Sequence, residues 1–353
     1  MDRSNKLVDI LGGVRLYKTL QIEKPMQIKL QNESIKRSAL HPTQLRLKPI
    51  LGGICGSDVS VYKGRLRHAK YPVIPGHEVI AEIVEVGSES KFINGAKVVI
   101  VPNTFCDECE NCRNRRRNIC LQKQSLGVTT DGVFSTDFVI DEKFVLEIPV
   151  GLSLERSTLT EPFAVIVHAM KKLEKLHEKS IAIIGCGTEG MLATSYSKYR
   201  EASVTVIDIQ ETKLAFIKSI FPEVQTFLPS EIKEQKFDVV VECAGARSSV
   251  EQSFHLVKPG GEIILIGFTE EAILPVTHIV RNEIKIMGSI IYDFPEDFQN
   301  SLTILSDPAF QVDHIISKVY QLERYNEAYE DACSGKYGKI LFDFTSADLH
   351  ELK

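Results

Sequence analysis

Residues 181–196 read IAIIGCGTEGMLATSY, and no other stretch constrains the fold so tightly. A short all-apolar run ends in the turn Gly185-Cys186-Gly187-Thr188-Glu189-Gly190, and a helix-forming run follows. The order predicts strand, tight turn and helix. The first glycine makes the turn, the second lets backbone approach a pyrophosphate, and the third lets helix pack on strand, with the helix N-terminus facing the anion. Such a glycine pattern alone is weak; strand before and helix after make it specific. The candidate cofactor-binding residues of the turn are therefore Gly185, Gly187, Thr188, Glu189 and Gly190. The next apolar run, VTVID, ends in Asp208, about twenty residues on, where a carboxylate can accept from both ribose hydroxyls and repels a 2'-phosphate. Ile209 and Gln210 follow, with no arginine to receive that phosphate, so the turn points to NAD rather than NADP.

Around this signature the chain changes texture. From about residue 155, apolar strands at Ile181–Ile184, Val204–Asp208, Asp238–Glu242, Glu262–Gly267 and Ile284–Met287 alternate with helix-length stretches, which implies a parallel sheet covered on both faces. Before it, short β-type runs broken by turns, Leu45–Ile50, Val79–Val86, Lys97–Val101, Val133–Ile140 and Phe144–Ile148, read as a β-rich domain. After Pro295 come a helical stretch, the run Ile315–Tyr320, an amphipathic helix near 322–333 and a last strand, Lys339–Phe344. At 353 residues two domains are expected. A formal charge of -5 gives no general attraction to nucleic acid or anionic lipid. No apolar run reaches the roughly 18 residues of a membrane span. The first twenty residues lack the clean apolar core of a secretory signal, so the expected location is the cytosol, where clustered thiols more often hold metal than pair with each other.

Half of the eight cysteines fall in CDECENCRNRRRNIC, at Cys106, Cys109, Cys112 and Cys120. Four thiolates with no fifth partner make a closed tetrahedral zinc site of the structural kind. A bacterial iron–sulfur run places its fourth cysteine sooner and follows it with proline, where this chain has Leu121. The arginines at 113 and 115–117 read as a solvated lobe surface, since so short a loop offers no recognition helix. A fifth cysteine opens another constellation: Cys55 in GGICGSD, His77 and Glu78 in IPGHEV, and Glu161 in LTEPFA. Each alone could be packing. Together they supply thiolate, imidazole and carboxylate, the donor set of a catalytic zinc that keeps a position open for water or substrate. His77 and Glu78 are neighbours, which on a regular strand point to opposite faces, so both can face one metal only where the backbone is irregular. Cys186, Cys243 and Cys333 read as small buried residues.

Taken in order, GICGSD, PGHE, the four-cysteine lobe, TEP, GCGTEG, VECAGA, KPGGEIILIG and RNEIKIMGS resemble the zinc-dependent medium-chain dehydrogenase/reductase family over nearly the whole chain. A cysteine matches Glu161 in the ordinary alcohol dehydrogenases; a glutamate there resembles the polyol, glucose and threonine dehydrogenase branch. The resemblance implies a β-rich GroES-like catalytic domain from residues 1–157 and 294–353, with a zinc lobe at about 104–122, around an inserted Rossmann domain, a doubly wound parallel sheet, at 158–293. It implies two zinc ions per chain, one catalytic and one structural, and NAD. In the sorbitol dehydrogenase pattern Glu78 is the third zinc ligand while Glu161 bonds to the zinc-bound water, and in the glucose dehydrogenases the two carboxylates can exchange. Ser57 passes the substrate proton outward, Gly267 borders the cofactor, and Arg281 matches a position near substrate. The family's habit is dimers or tetramers. The chain departs from the pattern at Ser60, where ordinary alcohol dehydrogenases carry a relay histidine, at Gly95-Ala96, at Ala81, and through the first forty residues.

The expected activity is NAD-dependent oxidation of a secondary alcohol of a polyol, sugar or cyclitol, with hydride passing from carbon to nicotinamide. An alternative is a pentitol or hexitol phosphate dehydrogenase, suggested by the basic stretch Lys63, Arg65, Arg67, His68 and Lys70, with Arg65 a candidate substrate contact. A reading from another class is a non-catalytic cofactor-binding protein that kept the fold; intact zinc ligands argue against it. Neither nucleic acid nor membrane is an expected partner.

Overall fold

A computed structural model describes residues 14–36, 39–173 and 175–345. The segment read above for a secretory signal lies mostly outside them. Fifteen strands are described: β1 Val14–Lys24, β2 Gln27–Lys36, β3 Gln44–Ile54, β4 Glu78–Val86, β5 Lys97–Ile100, β6 Phe138–Asp141, β7 Val145–Glu147, β8 Ser180–Ile184, β9 Ser203–Ile207, β10 Gln225–Phe227, β11 Phe237–Glu242, β12 Val257–Leu265, β13 Lys285–Gly288, β14 Ile316–Gln321 and β15 Lys339–Asp343. The helices are α1 Gly56–Tyr62, α2 Glu110–Arg113, α3 Leu154–Ser157, α4 Thr160–Met170, α5 Thr188–Tyr199, α6 Glu211–Ile220, α7 Arg247–Leu256, α8 Val276–Arg281, α9 Glu296–Leu305 and α10 Tyr325–Ser334.

Strands β8 to β13 form one parallel sheet in the order β10-β9-β8-β11-β12-β13. Both faces are covered, so β8 is apolar without alternation: Ile181, Ala182, Ile183 and Ile184 are all buried. The chain steps outward from β8 to β9 on one side and returns to β11 on the other. That reversal opens a crevice at the C-terminal ends of the strands, where dinucleotides bind in doubly wound sheets, and the loop after β8 carries the glycine turn.

The second sheet runs β14-β15-β3-β4-β5-β7, with β6 also pairing with β3. Its strands come from both ends of the described chain, because β15 pairs antiparallel with β3. This is the GroES-like unit with the Rossmann unit inserted. Helix α4 joins the two: Phe163, Ile166 and Val167 pack into the core beside the parallel sheet, while Ala164 packs against Leu51, Ile80 and Val99 of the second. A helix buried against two sheets can be apolar nearly all round, as VIVHAM is.

Three features differ from the sequence reading. Only Phe138–Asp141 of the expected Val133–Ile140 strand is regular; before it, the Val133 and Phe134 amides donate to Gly76 O at 2.9 Å and Pro75 O at 3.0 Å, which folds this segment over the loop entering β4. The short strand β10 was not anticipated. Nor was the β1–β2 hairpin, which pairs Lys24 with Gln27 through a turn in which Met26 takes φ 63°.

Candidate active site and metal centres

The open constellation is assembled by two loops that Asp58 ties together. Cys55 caps the start of α1, and its amide donates to Asp58 Oδ2 at 2.9 Å. The other carboxylate oxygen accepts from the Gly76 amide at 2.9 Å and lies 3.4 Å from His77 Nδ1. A carboxylate behind one ring nitrogen is the usual support of a metal-ligating histidine; here it stands close without completing a hydrogen bond, and the buried Nδ1 has no other partner. His77 Nε2 lies 3.2 Å from Ser57 Oγ. Burial works against a charge on His77, but Asp58 and Cys55 outweigh it and raise its pKa. Asp58 is fully buried; its burial is outweighed by His77 and two amides, so its carboxyl falls below the usual range.

The neighbours His77 and Glu78 share this site because regular β4 begins only at Glu78. The turn before it has Gly76 at φ 92°, with the Phe134 ring against the place a side chain would fill. Donor atoms of Cys55, His77 and Glu78 lie within 4.8 Å of one another. Tetrahedral zinc, bonded to nitrogen, oxygen and sulfur at about 2.0–2.3 Å, needs donor separations of roughly 3.3–3.8 Å, so this set could hold it with small movements. Burial pushes the Cys55 thiol up. Glu161, in the first turn of α4, is 8% exposed and stands outside that 4.8 Å cluster. Burial pushes its carboxyl up to about 8, helped by Glu78 and opposed by His77.

One residue of this site went unread in the sequence. Lys339, which opens β15, is 1% exposed, and its Nζ donates to Glu78 Oε1 at 2.7 Å and Oε2 at 2.5 Å. In the sequence it is one cation at the start of an apolar strand, and nothing there reports its partner. Asp58 was visible in GICGSD but carried no role.

The four-cysteine lobe is compact. Sγ atoms stand 3.9 Å apart for Cys106 and Cys112, 4.0 Å for Cys109 and Cys120, and 3.6 Å for Cys106 and Cys120. Disulfide sulfurs sit at about 2.05 Å, whereas zinc–sulfur bonds of about 2.3 Å set tetrahedral edges near 3.8 Å. All eight cysteines are free. The Cys109 amide donates to Cys106 Sγ at 3.3 Å, and the Cys106 amide to Cys120 Sγ at 3.4 Å. Backbone amides of Leu121 and Cys112 lower the Cys109 thiol to about 6. This donor set fits a closed zinc site.

At the glycine turn, Gly185 takes φ 97°, and a side chain on Gly190 would collide with Gly185 O. Gly187 caps α5 with open space where its side chain would be. Asp208 Oδ2 accepts from the Cys186 amide at 2.6 Å and Oδ1 from the Gln210 amide at 2.8 Å, so the carboxylate is fixed beside the turn. Thr188 and Glu189 open α5, and the charge of Glu189 acts on Glu78, Glu161 and Lys339. The start of α5 therefore lies within electrostatic reach of the open site. Gly267 packs on Gly245, with Glu242 Oε2 within 2.6 Å of where its side chain would be.

The two expected substrate contacts are exposed, where His77, Glu78 and Glu161 are buried. Arg65 is exposed in the loop after α1. Arg281 is exposed in the last turn of α8, lining a surface hollow of about 570 Å³ with Pro275, Val276, Thr277, His278 and Asn282. Arg67, beside Arg65, pairs with Glu270 of the parallel-sheet unit at 3.3 Å.

Two family models match the chain: the alcohol dehydrogenase GroES-like domain over residues 41–150 and the zinc-binding dehydrogenase over residues 190–307. Together they take in more than half of it. The chain is similar to sorbitol dehydrogenase of Bacillus subtilis, 28% identical over 86% of this chain and 90% of that one. It is likewise 28% identical to D-arabitol-phosphate dehydrogenase of Enterococcus avium, over 84% and 89%. Among solved structures it resembles a zinc-binding dehydrogenase of Sinorhizobium meliloti bound to NADP, with a TM-score of 0.85 at 25% identity over 93% of this chain and 99% of that one.

Proposed function

Because the chain belongs to the zinc-dependent medium-chain dehydrogenase/reductase family, we propose that it interconverts a secondary alcohol of a polyol, sugar or cyclitol with its ketone, using NAD. The observation that carries this reading is the meeting of Cys55, His77 and Glu78 within 4.8 Å in a chain that also carries the glycine turn. In this assignment those residues and Glu161 would hold a catalytic zinc, and Cys106, Cys109, Cys112 and Cys120 a structural one. Bound there, zinc supplies Lewis-acid polarisation of the substrate oxygen. Ser57, beside His77 Nε2, takes the hydroxyl proton outward. Gly185, Gly187, Thr188 and Gly190 receive the pyrophosphate, and Asp208 receives the adenosine ribose, favouring NAD. We assign residues 1–157 and 294–353 to the catalytic unit and 158–293 to the cofactor unit.

A screen following NADH formation over polyols, cyclitols and their phosphates, with zinc counted in parallel, tests the proposal. The expected result is turnover of a secondary alcohol by protein holding two zinc ions per chain, and an inactive, folded Cys55→Ala variant holding one. Turnover by Cys55→Ala at the parental rate would sink the assignment.

The phosphorylated-substrate reading keeps a specific observation in its favour: Arg65, His68 and Lys70 are exposed together with Arg67, and D-arabitol-phosphate dehydrogenase is among the relatives. Arg65→Ala with Arg67→Ala then costs about 10-fold or more in kcat/KM on a phosphorylated substrate, as loss of a charge-assisted bond of roughly 1.5–3 kcal/mol requires. Among the described residues no helix is long and apolar enough to cross a membrane, and eight free cysteines suit a reducing compartment such as the cytosol. We further propose a homodimer or homotetramer, with copies meeting at the exposed apolar rim Phe268, Ile273, Val276 and Val280 beside edge strand β13. Light scattering across a dilution series, comparing wild type with Val280→Glu, tests it.

A further inference from the structure

The buried ion pair of the open site is built across three strands. Strand β3 lies between β4 and β15, with Gly53 opposite Glu78 on one side and Leu341 on the other. Lys339 precedes Ile340, which stands opposite Ile54. To reach Glu78 its side chain crosses β3, and the crossing runs over Gly53: a side-chain carbon there would collide with Glu78 Oε2 and come within 3.0 Å of Lys339 Cδ. The result is a salt bridge with both partners at most 1% exposed, joining residues 261 apart in sequence. Lysine is rarely so buried unless paired.

The ammonium also constrains what Glu78 can do for a metal. An ionised carboxylate offers about four lone-pair directions on its two oxygens. Lys339 takes one on each oxygen, leaving one on each for a cation, and its own positive charge stands beside that cation. We propose that Lys339 is a positioning residue of the open site: it restrains Glu78, which lies within reach of Cys55 and His77, and weakens the grip of that carboxylate on the metal. This rests on Cys55, His77 and Glu78 being the metal ligands.

The charge of Lys339 also reaches Cys55, and this gives a rival action of opposite sign. If the lysine served mainly to favour the Cys55 thiolate, its removal would weaken metal binding. If it restrains Glu78, removal strengthens binding. The test is cobalt(II) titration of metal-stripped protein against a competing chelator, with Cys55→Ala as the baseline carrying only the four-cysteine site. Lys339→Met is expected to lower the open-site dissociation constant at least 10-fold and to alter the visible cobalt band as Glu78 binds throughout. Lys339→Arg, which keeps the charge, returns both toward wild type. Lys339→Gln, milder for folding, moves both in the direction of Lys339→Met by a smaller factor. In a Glu78→Gln background, Lys339→Met changes neither. Unchanged or weaker cobalt binding in Lys339→Met and Lys339→Gln overturns the proposal and leaves the site assignment standing. A Cys55→Ala protein that binds as much cobalt as wild type overturns the assignment and the proposal with it.

Discussion

Some residues of this chain do their work by staying neutral or by staying put. His314 is held between aromatic rings, 5.5 Å from the Phe221 centroid and 6.2 Å from that of Phe216, with no partner for its buried Nε2. Burial lowers its pKa to about 4, against a small opposing effect of Asp313. An unfolded histidine titrates near 6.5, so between these values the unfolded chain binds the extra proton. The contribution to stability is whole above pH 6.5 and lost as pH falls toward 4. Discounted for partial exposure, it amounts to about 2 kcal/mol. Urea unfolding at pH 7 and pH 5 should show His314→Gln losing less stability on acidification than wild type; an equal loss would contradict the argument. Asp208 makes the opposite use of a fixed charge. Its two amide contacts hold the carboxylate beside the turn, and NAD should be preferred over NADP by at least ~10-fold in kcat/KM, about 1.4 kcal/mol. Asp208→Ala should narrow that gap, whereas a wild-type preference for NADP would overturn the reading. These residues differ in how far the sequence exposed them. Cys55, His77 and Asp208 sit in short motifs whose residue types are themselves the chemistry. His314 and Lys339 take their roles from neighbours across the fold, which no local pattern records.

At the scale of elements, apolar strands flanked by turn residues were readable, because β8, β9 and β11 are largely buried on both faces and need near-continuous apolar runs. The β1–β2 hairpin was not: its second strand reads QIKLQNESIK, whose polar residues leave little to distinguish a two-stranded ribbon from a loop. Strand β10 has three residues, too few for a periodicity. The zinc lobe was legible as four thiols, but its docking was not. Arg117 lies 4.4 Å from the Phe105 ring centroid and donates to Phe294 O at 3.1 Å, while Asn118 Nδ2 lies 3.3 Å from His168 Nε2. His168 Nδ1 is in turn 2.8 Å from Asp297 Oδ2, on α9. The lobe therefore leans on α4, the helix whose first turn carries Glu161. Cys109→Ala should release the structural metal and with it folding energy, lowering the melting temperature and leaving one zinc per chain. Because the lobe braces α4, activity should fall more steeply on warming than the remaining folded fraction. A variant with the parental melting temperature and both metals would refute this.

The whole molecule places its charges so that two units share one field. The catalytic unit is closed by its own C-terminal strands, since β15 returns to β3 and delivers Lys339, while the parallel sheet presents its glycine turn to the same space. Glu189, opening α5, is the carboxylate this turn contributes. Burial is the main cause that raises Glu78 and Glu161; the charge of Glu189 adds a smaller push in the same direction and favours the ammonium of Lys339, so it acts on the open site. A nicotinamide lying between turn and metal site would feel that charge. The oxidised ring is positive and the reduced ring neutral, and a carboxylate acting through an effective dielectric near 20 distinguishes them by on the order of 1 kcal/mol. Glu189 should therefore hold NAD more tightly relative to NADH, poising the site to accept hydride and then release the reduced cofactor. The measurement is the pair of dissociation constants, by calorimetry for NAD and fluorescence for NADH, in wild type and Glu189→Gln. The ratio should shift about 5-fold toward NADH in the variant. A carboxylate that merely stabilised the helix N-terminus would leave the ratio unchanged while lowering overall stability, and that outcome would remove Glu189 from the chemistry.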